Sequence, residues 1–258
     1  TNVLQIFKAV NLKTPLRLST WLPLHHDMGI ILASFATILG LNFEMMTPRD
    51  FVQQPKRWVR QISRQPGDEN FAGIYAVVPN FALELAARYG APVAGEDIDL
   101  SHIDGIIIGS EPVTETAVDN FWEVFSKYGL KREAMRPSYG LAEAALMVAT
   151  PQEGERPLIT HFNREQLTAG KAVVEAKSDQ TVAFASNGQG MPAQYLTIVD
   201  PETKAELADA QIGELWLHGD NMAAGYLGRE DETASTFRNT LATRLPEGSR
   251  VVGALSLI

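Results

Sequence analysis

The sequence predicts an α/β fold: a mostly parallel sheet with helices on both faces, followed by a smaller β-rich, barrel-like subdomain. Two apolar runs rich in β-branched residues, Phe71 to Val78 and Ile103 to Ile108, read as strands buried on both faces. Stretches with apolar residues at helical spacing alternate with them, the pattern of a parallel sheet with crossover helices. After Thr150 the character changes, and from Thr181 onward the signals are β. The expected division is 1–150 for the α/β part, 151–180 for a separate stretch and 181–258 for the β-rich part.

The elements follow in order. Asn2 to Val10 reads as a helix, and Met28 to Leu41 as a buried one. The latter is too short for a bilayer, which takes roughly 20 apolar residues, so no membrane span is expected. Asn42 to Thr47 is a strand candidate, and Thr47-Pro48 then has the form of a capped helix start with proline in the first turn. Phe51, Pro55, Trp58, Val59 and Ile62 form one buried face of a helix. Arg57, Arg60 and Arg64 lie on its other faces, as a solvated basic surface or a docking surface for an acidic carrier protein. After the Phe71 strand a helix carries Phe81, Leu85 and Tyr89 on one face. After the Ile103 strand Thr114 caps a helix with the stripe Val118, Phe121, Trp122 and Phe125. Glu133 to Arg136 is a short strand, and Pro151 to Arg156 is loop-like. Asn163 to Thr168 is a short helix, followed by strands at Thr181 to Ser186, Gln194 to Asp200 and Ile212 to His218. Asp200-Pro201-Glu202-Thr203 is a turn, and Asp231 to Phe237 is a helix. Thr1 and the abrupt end at Val251 to Ile258 read as the ends of a fragment.

Composition narrows the function. The 258 residues suffice for one or two domains, with 45% hydrophobic and 21% charged residues. A formal charge of −9 argues against a surface built for nucleic acid. The absence of cysteine excludes disulfides, thiolate metal sites and a cysteine nucleophile. Without a signal-like start, a cytoplasmic location is the expectation.

Three loops follow predicted strands: Leu22-Pro23-Leu24-His25-His26-Asp27-Met28-Gly29, Gly109-Ser110-Glu111-Pro112, and Pro137-Ser138-Tyr139-Gly140-Leu141-Ala142-Glu143. Ligands of open α/β sheets bind outside the carboxyl ends of the strands, so these loops are expected to share a site. Tyr139 offers a ring for stacking and Glu143 an oxygen ligand, though a core tyrosine and a first-turn glutamate have the same pattern. His25-His26-Asp27 invites a metal reading, which is discounted because adjacent residues point apart and no distant ligand pair is evident. Gly188-Gln189-Gly190 does not complete a dinucleotide fingerprint, and no Walker lysine motif is present.

Together these loops, and the later run Gly213-Glu214-Leu215-Trp216 through Gly225-Tyr226 to Phe237, resemble the adenylate-forming superfamily over nearly the whole chain. Within it the chain most resembles the fatty acyl-AMP ligases. The pointers are Trp21-Leu22-Pro23-Leu24 with His26-Asp27-Met28-Gly29, Pro79-Asn80-Phe81-Ala82, and Ala142 before Glu143, where acyl-CoA-forming relatives usually carry threonine.

The resemblance implies part of the large N-terminal domain of such an enzyme, which uses ATP and Mg²⁺ to convert a fatty acid to its acyl-adenylate. Gly109, Ser110, Glu111 and Pro112 would form one wall of the adenine slot, with Tyr139 the other and Ser138 and Gly140 beside the nucleotide. Glu143 would ligate Mg²⁺, and His26 would meet the acyl carboxylate and the α-phosphate. Asn80 and Phe81 would line the acyl tunnel near its mouth. The phosphate loop, the ribose-binding aspartate and the catalytic lysine would lie beyond this chain, so residues 1–258 alone would not adenylate. Pro151 to Lys177 resembles the ligase-specific insertion that disfavours CoA, or is an ordinary surface insertion; the former implies transfer to an acyl carrier protein or a synthase carrier domain. An acyl-CoA ligase or another carboxylate-adenylating domain is the alternative, and a non-catalytic adenine-nucleotide-binding module the second.

Overall fold

The computed structural model describes residues 1–246. Its elements run α1 (Asn2–Ala9), β1 (Arg17–Thr20), α2 (Asp27–Leu39), β2 (Asn42–Met45), α3 (Pro48–Gln53), α4 (Pro55–Ile62), β3 (Ile74–Pro79), α5 (Asn80–Tyr89), β4 (Ile103–Gly109), α6 (Glu115–Phe125) and β5 (Met135–Pro137). There follow β6 (Tyr139–Gly140), β7 (Met147–Thr150), β8 (Ile159–Asn163), α7 (Arg164–Thr168), β9 (Thr181–Ala185), β10 (Gln189–Gly190), β11 (Gln194–Val199), β12 (Glu214–Gly219) and α8 (Glu230–Phe237).

The first five strands make one parallel sheet in the order β2-β1-β3-β4-β5. The chain runs outward from β1 to β2, then crosses back to β3 and continues to β5. With right-handed crossovers, this reversal puts α2 on one face and α5 and α6 on the other. Strand periodicity agrees: Leu18, Tyr75, Val77 and Ile107 face α1 and α2 across a cavity, while Ile74, Ala76, Val78, Ile106 and Ile108 are buried on the opposite side. The topological switch point lies between β1 and β3, and the predicted site loops leave the sheet at its carboxyl end.

Local signals explain most boundaries. Thr47 Oγ1 accepts the Asp50 N–H at 3.1 Å, and Thr114 Oγ1 accepts the Ala117 N–H at 3.2 Å. The apolar stripe expected on one helix spans two. Pro55 opens α4 because it lacks an N–H and forces Gln54 out of helical geometry, to φ −144° and ψ 78°. The stripe is nonetheless buried: Trp21 stacks on Phe51 at 4.1 Å, and Phe51 meets Trp58 edge-on at 5.8 Å. The basic surface beside it is ion-paired: Arg57 to Asp50 at 2.7 Å, Arg60 to Glu96, and Arg64 to Asp99 at 3.9 Å.

Helix α2 corrects the expectation of a fully buried helix. It buries Met28, Gly29, Phe35 and Ala36, while Ile30 is 46% exposed and Ile38 70%. Phe81 and Tyr89 of α5 are also exposed, and Asn80, Ala82, Leu83 and Ala86 form its buried face.

The β-rich part pairs as antiparallel ladders: β10-β7-β6, β11 with β12, and β8 with β9. Among the described residues these ladders remain separate. The β8–β9 ladder joins the stretch at 151–180 to the segment after it. Asp200 Oδ1 accepts the N–H groups of Glu202 and Thr203, closing the expected turn. The expectation for Val251 to Ile258 lies outside the described residues. No helix among the described residues is long and apolar enough to cross a membrane.

Candidate active site

At the carboxyl end of the sheet, α1, α2, β3, β4 and the segment 138–147 enclose a cavity of about 230 Å³. Val10, Leu12, Leu18, Ile31, Leu32, Phe35, Val77, Ile107 and Met147 make its wall apolar. His26, Asp27, Ser110, Ser138 and Tyr139 add the polar groups. Tyr75 also lines it. Burial, and then the bond its hydroxyl donates to Asp104 Oδ2 at 2.6 Å, push the Tyr75 phenol well above its ordinary range.

His26 and Asp27 stand at the start of α2. Their side chains do not point apart: His26 Nδ1 lies 2.7 Å from Asp27 Oδ1. The Met28 N–H is 3.3 Å from His26 Nδ1 and 2.7 Å from Asp27 Oδ1. One nitrogen cannot both donate to the carboxylate and accept from Met28, and the shorter contacts assign the cap to Asp27. The imidazole then has Nδ1 bonded, while Nε2 has no partner among the described residues. Gly29 makes this loop possible. A Cβ there would sit 2.2 Å from the Pro23 carbonyl oxygen, so Gly29→Ala is expected to lose about 1–3 kcal/mol of stability. Denaturant unfolding measures it, and an unchanged midpoint would contradict the packing.

Gly109 ends β4 and Ser110 follows in the left-handed region at φ 67°. Both line the cavity, whereas Glu111 and Pro112 do not. Glu111 turns instead to α5, where Oε1 accepts the Phe81 N–H at 2.7 Å, a carboxylate at a helix N-terminus. Ser138 is buried and bonds Thr150 Oγ1 at 2.9 Å and the Arg136 carbonyl at 3.0 Å. Tyr139 is half-buried. Desolvation, and then the Glu143 carboxylate, raise its phenol above the ordinary value. Gly140 continues the wall and pairs with Met147.

Glu143 lies outside the cavity lining on a short 3₁₀ turn, Ala142–Ala144. Its Oε1 accepts a hydrogen bond from the Tyr226 hydroxyl. Asn80 and Phe81 also lie off this cavity. Asn80 Oδ1 accepts the Thr114 N–H at 3.1 Å, tying α5 to the cap of α6, and Phe81 packs 5.8 Å from Trp21. Thus the structure brings His26, Gly109, Ser110, Ser138, Tyr139 and Gly140 together, with Glu143 beside them.

A family model described as AMP-binding enzyme matches residues 1–227. The chain belongs to the AMP-binding enzyme family. Among its relatives in this family, a long-chain-fatty-acid–AMP ligase of Mycobacterium marinum, FadD32, is 45% identical over 96% of the chain. FadD26 of Mycobacterium tuberculosis, another long-chain-fatty-acid–AMP ligase, is 38% identical over 89% of it. The crystal structure of a fatty acyl-adenylate ligase from L. pneumophila, in complex with acyl adenylate and pyrophosphate, superposes with a TM-score of 0.82 at 29% identity, over 90% of this chain and 40% of that one. The chain spans 39% of the length of the two mycobacterial relatives. Its α/β architecture is that of the family's N-terminal domain.

Sequence reasoning missed several residues in and around the candidate site. Val77 and Ile107 read only as core, although alternate residues of a strand between two helix layers must face different surroundings. Strand β7 escaped notice within the apolar run after Glu143. Tyr226 was legible only as part of a motif.

Proposed function

We propose that this chain supplies the acyl pocket and one side of the nucleotide site of an enzyme that activates a fatty acid with ATP. The observation that carries this reading is the apolar cavity with His26, Ser110 and Tyr139 among its few polar groups. It suits a ligand with a long hydrocarbon tail and an anionic head. The relatives act on long-chain fatty acids, which supports the tail's identity.

In the reaction, a carboxylate oxygen of the fatty acid attacks the α-phosphorus of ATP. A new P–O bond forms as the bond to pyrophosphate breaks. No protein nucleophile is needed, so the residues position groups and balance charge. The cavity aligns the acyl chain and excludes water. His26, held through Nδ1 by Asp27, when protonated directs an Nε2–H at the anionic oxygens where carboxylate and α-phosphate meet. Tyr139 offers its ring to the adenine, and such stacking is worth roughly 1–3 kcal/mol. Its lowered acidity keeps the phenol neutral beside phosphates.

Glu143 fits a Mg²⁺ ion carried by the nucleotide. Mg²⁺ is commonly held by one or two carboxylates plus substrate phosphates. Among the described residues no cluster of three or more metal-ligating side chains competes for it. When bound, the ion neutralises phosphate charge. The adenylate would then pass to the phosphopantetheine of an acyl carrier protein or synthase carrier domain in the cytoplasm. Fatty-acid-dependent ATP–pyrophosphate exchange by the full-length protein tests the reading, and exchange indifferent to every fatty acid would overturn it. Val77→Phe should fill the cavity and raise KM for long acyl chains about tenfold or more, while sparing short ones, since each methylene is worth roughly 1–3 kcal/mol. Equal effects on both chain lengths would place the tail elsewhere.

A further inference from the structure

Resting on that reading of Glu143, we infer that Tyr226 is a positioning residue for the metal-binding carboxylate. The turn that carries Glu143 is strained. Ala145, which ends it, has φ 71° and ψ −56°, a backbone conformation that costs energy for any residue with a Cβ. Such a turn persists only where its surroundings over-determine it, and here the bracing comes from one distant segment, residues 221–226. The buried Asn221 side chain donates to the Ala144 carbonyl at 2.6 Å. The Ala223 N–H donates to the Glu143 carbonyl at 2.7 Å. Tyr226 then donates its hydroxyl to Glu143 Oε1.

Helix α8 holds Tyr226 in turn. The Tyr226 N–H donates to Thr233 Oγ1 at 2.9 Å, and the Tyr226 and Phe237 rings meet edge-on at 5.3 Å. Gly225 permits this seat. It has φ 142°, and a Cβ there would lie 2.3 Å from Thr233 Cγ2. Thus the first two contacts fix the backbone carbonyls of Glu143 and Ala144, and the third fixes the carboxylate itself. With Oε1 occupied by a neutral donor, Oε2 is left for the ion in one orientation. This is the arrangement by which an outer hydrogen-bond partner orients a metal ligand.

The test compares the full-length wild type with Tyr226→Phe, which removes only the hydroxyl, and with Leu227→Ala, a substitution at the neighbouring, fully solvent-exposed side chain. ATP binding is titrated calorimetrically at stepped Mg²⁺ concentrations, alongside melting temperature and KM for the fatty acid. Tyr226→Phe is expected to need about tenfold more Mg²⁺ for half-saturation, with melting temperature and fatty-acid KM unchanged. Leu227→Ala should match wild type. A Mg²⁺ titration of Tyr226→Phe that superimposes on wild type would overturn the inference. Wild-type ATP binding that ignores Mg²⁺ would instead remove the metal role of Glu143, and that of Tyr226 with it.

Discussion

Replacing Glu143 by glutamine in the full-length protein is expected to lower kcat for acyl-adenylate formation about 10²–10³-fold, the usual cost of deleting one charge-stabilising contact at a reacting centre. Glutamine keeps the side-chain volume and an oxygen that can accept the Tyr226 hydroxyl, so the turn should hold. What is lost is the negative charge that binds the ion. Glu143 belongs to a surface turn and not to the hydrophobic core, so melting temperature should change little. Pyrophosphate exchange at saturating fatty acid measures the loss, and activity within threefold of wild type would remove Glu143 from the metal site. A non-catalytic nucleotide-binding module would show no activity in the wild type either, which separates the two readings.

The largest effect on folding is expected from Arg17→Leu. Arg17 and Asp68 are each 2% exposed, at the amino end of the sheet, away from the site. Arg17 Nε and Nη2 grip the two Asp68 oxygens at 2.9 and 2.7 Å. Nη1 reaches Glu44 at 2.9 Å and the Gln61 carbonyl at 2.6 Å, and Nη2 also reaches the Ser63 carbonyl at 2.9 Å. All five guanidinium donors are thereby used. Asp68 Oδ2 also accepts the Gln65 N–H, so the pair organises the chain between α4 and β3. Leucine restores volume but leaves a carboxylate buried without its counter-charge. Breaking a buried pair this way costs about 3–5 kcal/mol. Equilibrium denaturation measures it, and a loss below about 1 kcal/mol, the range of an exposed pair, would contradict the buried arrangement. Replacing both partners, Arg17→Leu with Asp68→Leu, should recover part of the loss.

The two sets of residues differ in how far they could be read from sequence. The helix start at Thr47 and the cap at Thr114 were legible because capping is settled within one turn. The strands at Phe71 to Val78 and Ile103 to Ile108 were legible because burial between two helix layers demands continuous apolar runs. The proline at 55 was visible too, yet the apolar stripe ran across it, and only backbone geometry shows that the stripe belongs to two helices. Helix α2 misled for a related reason. Apolar composition states what a surface would prefer to contact, not what the described chain brings to it.

The site divides along the same line. The residues that lead from strands β1, β4 and β5 could be assigned to one place from chain order, because a parallel sheet gathers its carboxyl ends. Asn80 and Phe81 obey the same rule and lie off the cavity, since Asn80 is drawn to the cap of α6 and Phe81 to Trp21.

By itself the sequence determined most of the α/β elements and their order, the carboxyl-end loops and the family resemblance, since periodicity, capping and motif spacing are carried by neighbours along the chain. Only the tertiary structure decided which groups face each other. Arg17 finds Asp68 across 51 positions, and Tyr226 finds Glu143 across 83. Such pairs depend on sheet register, on the hand of the crossovers and on where a returning segment packs, and none of these is set by the residues beside them.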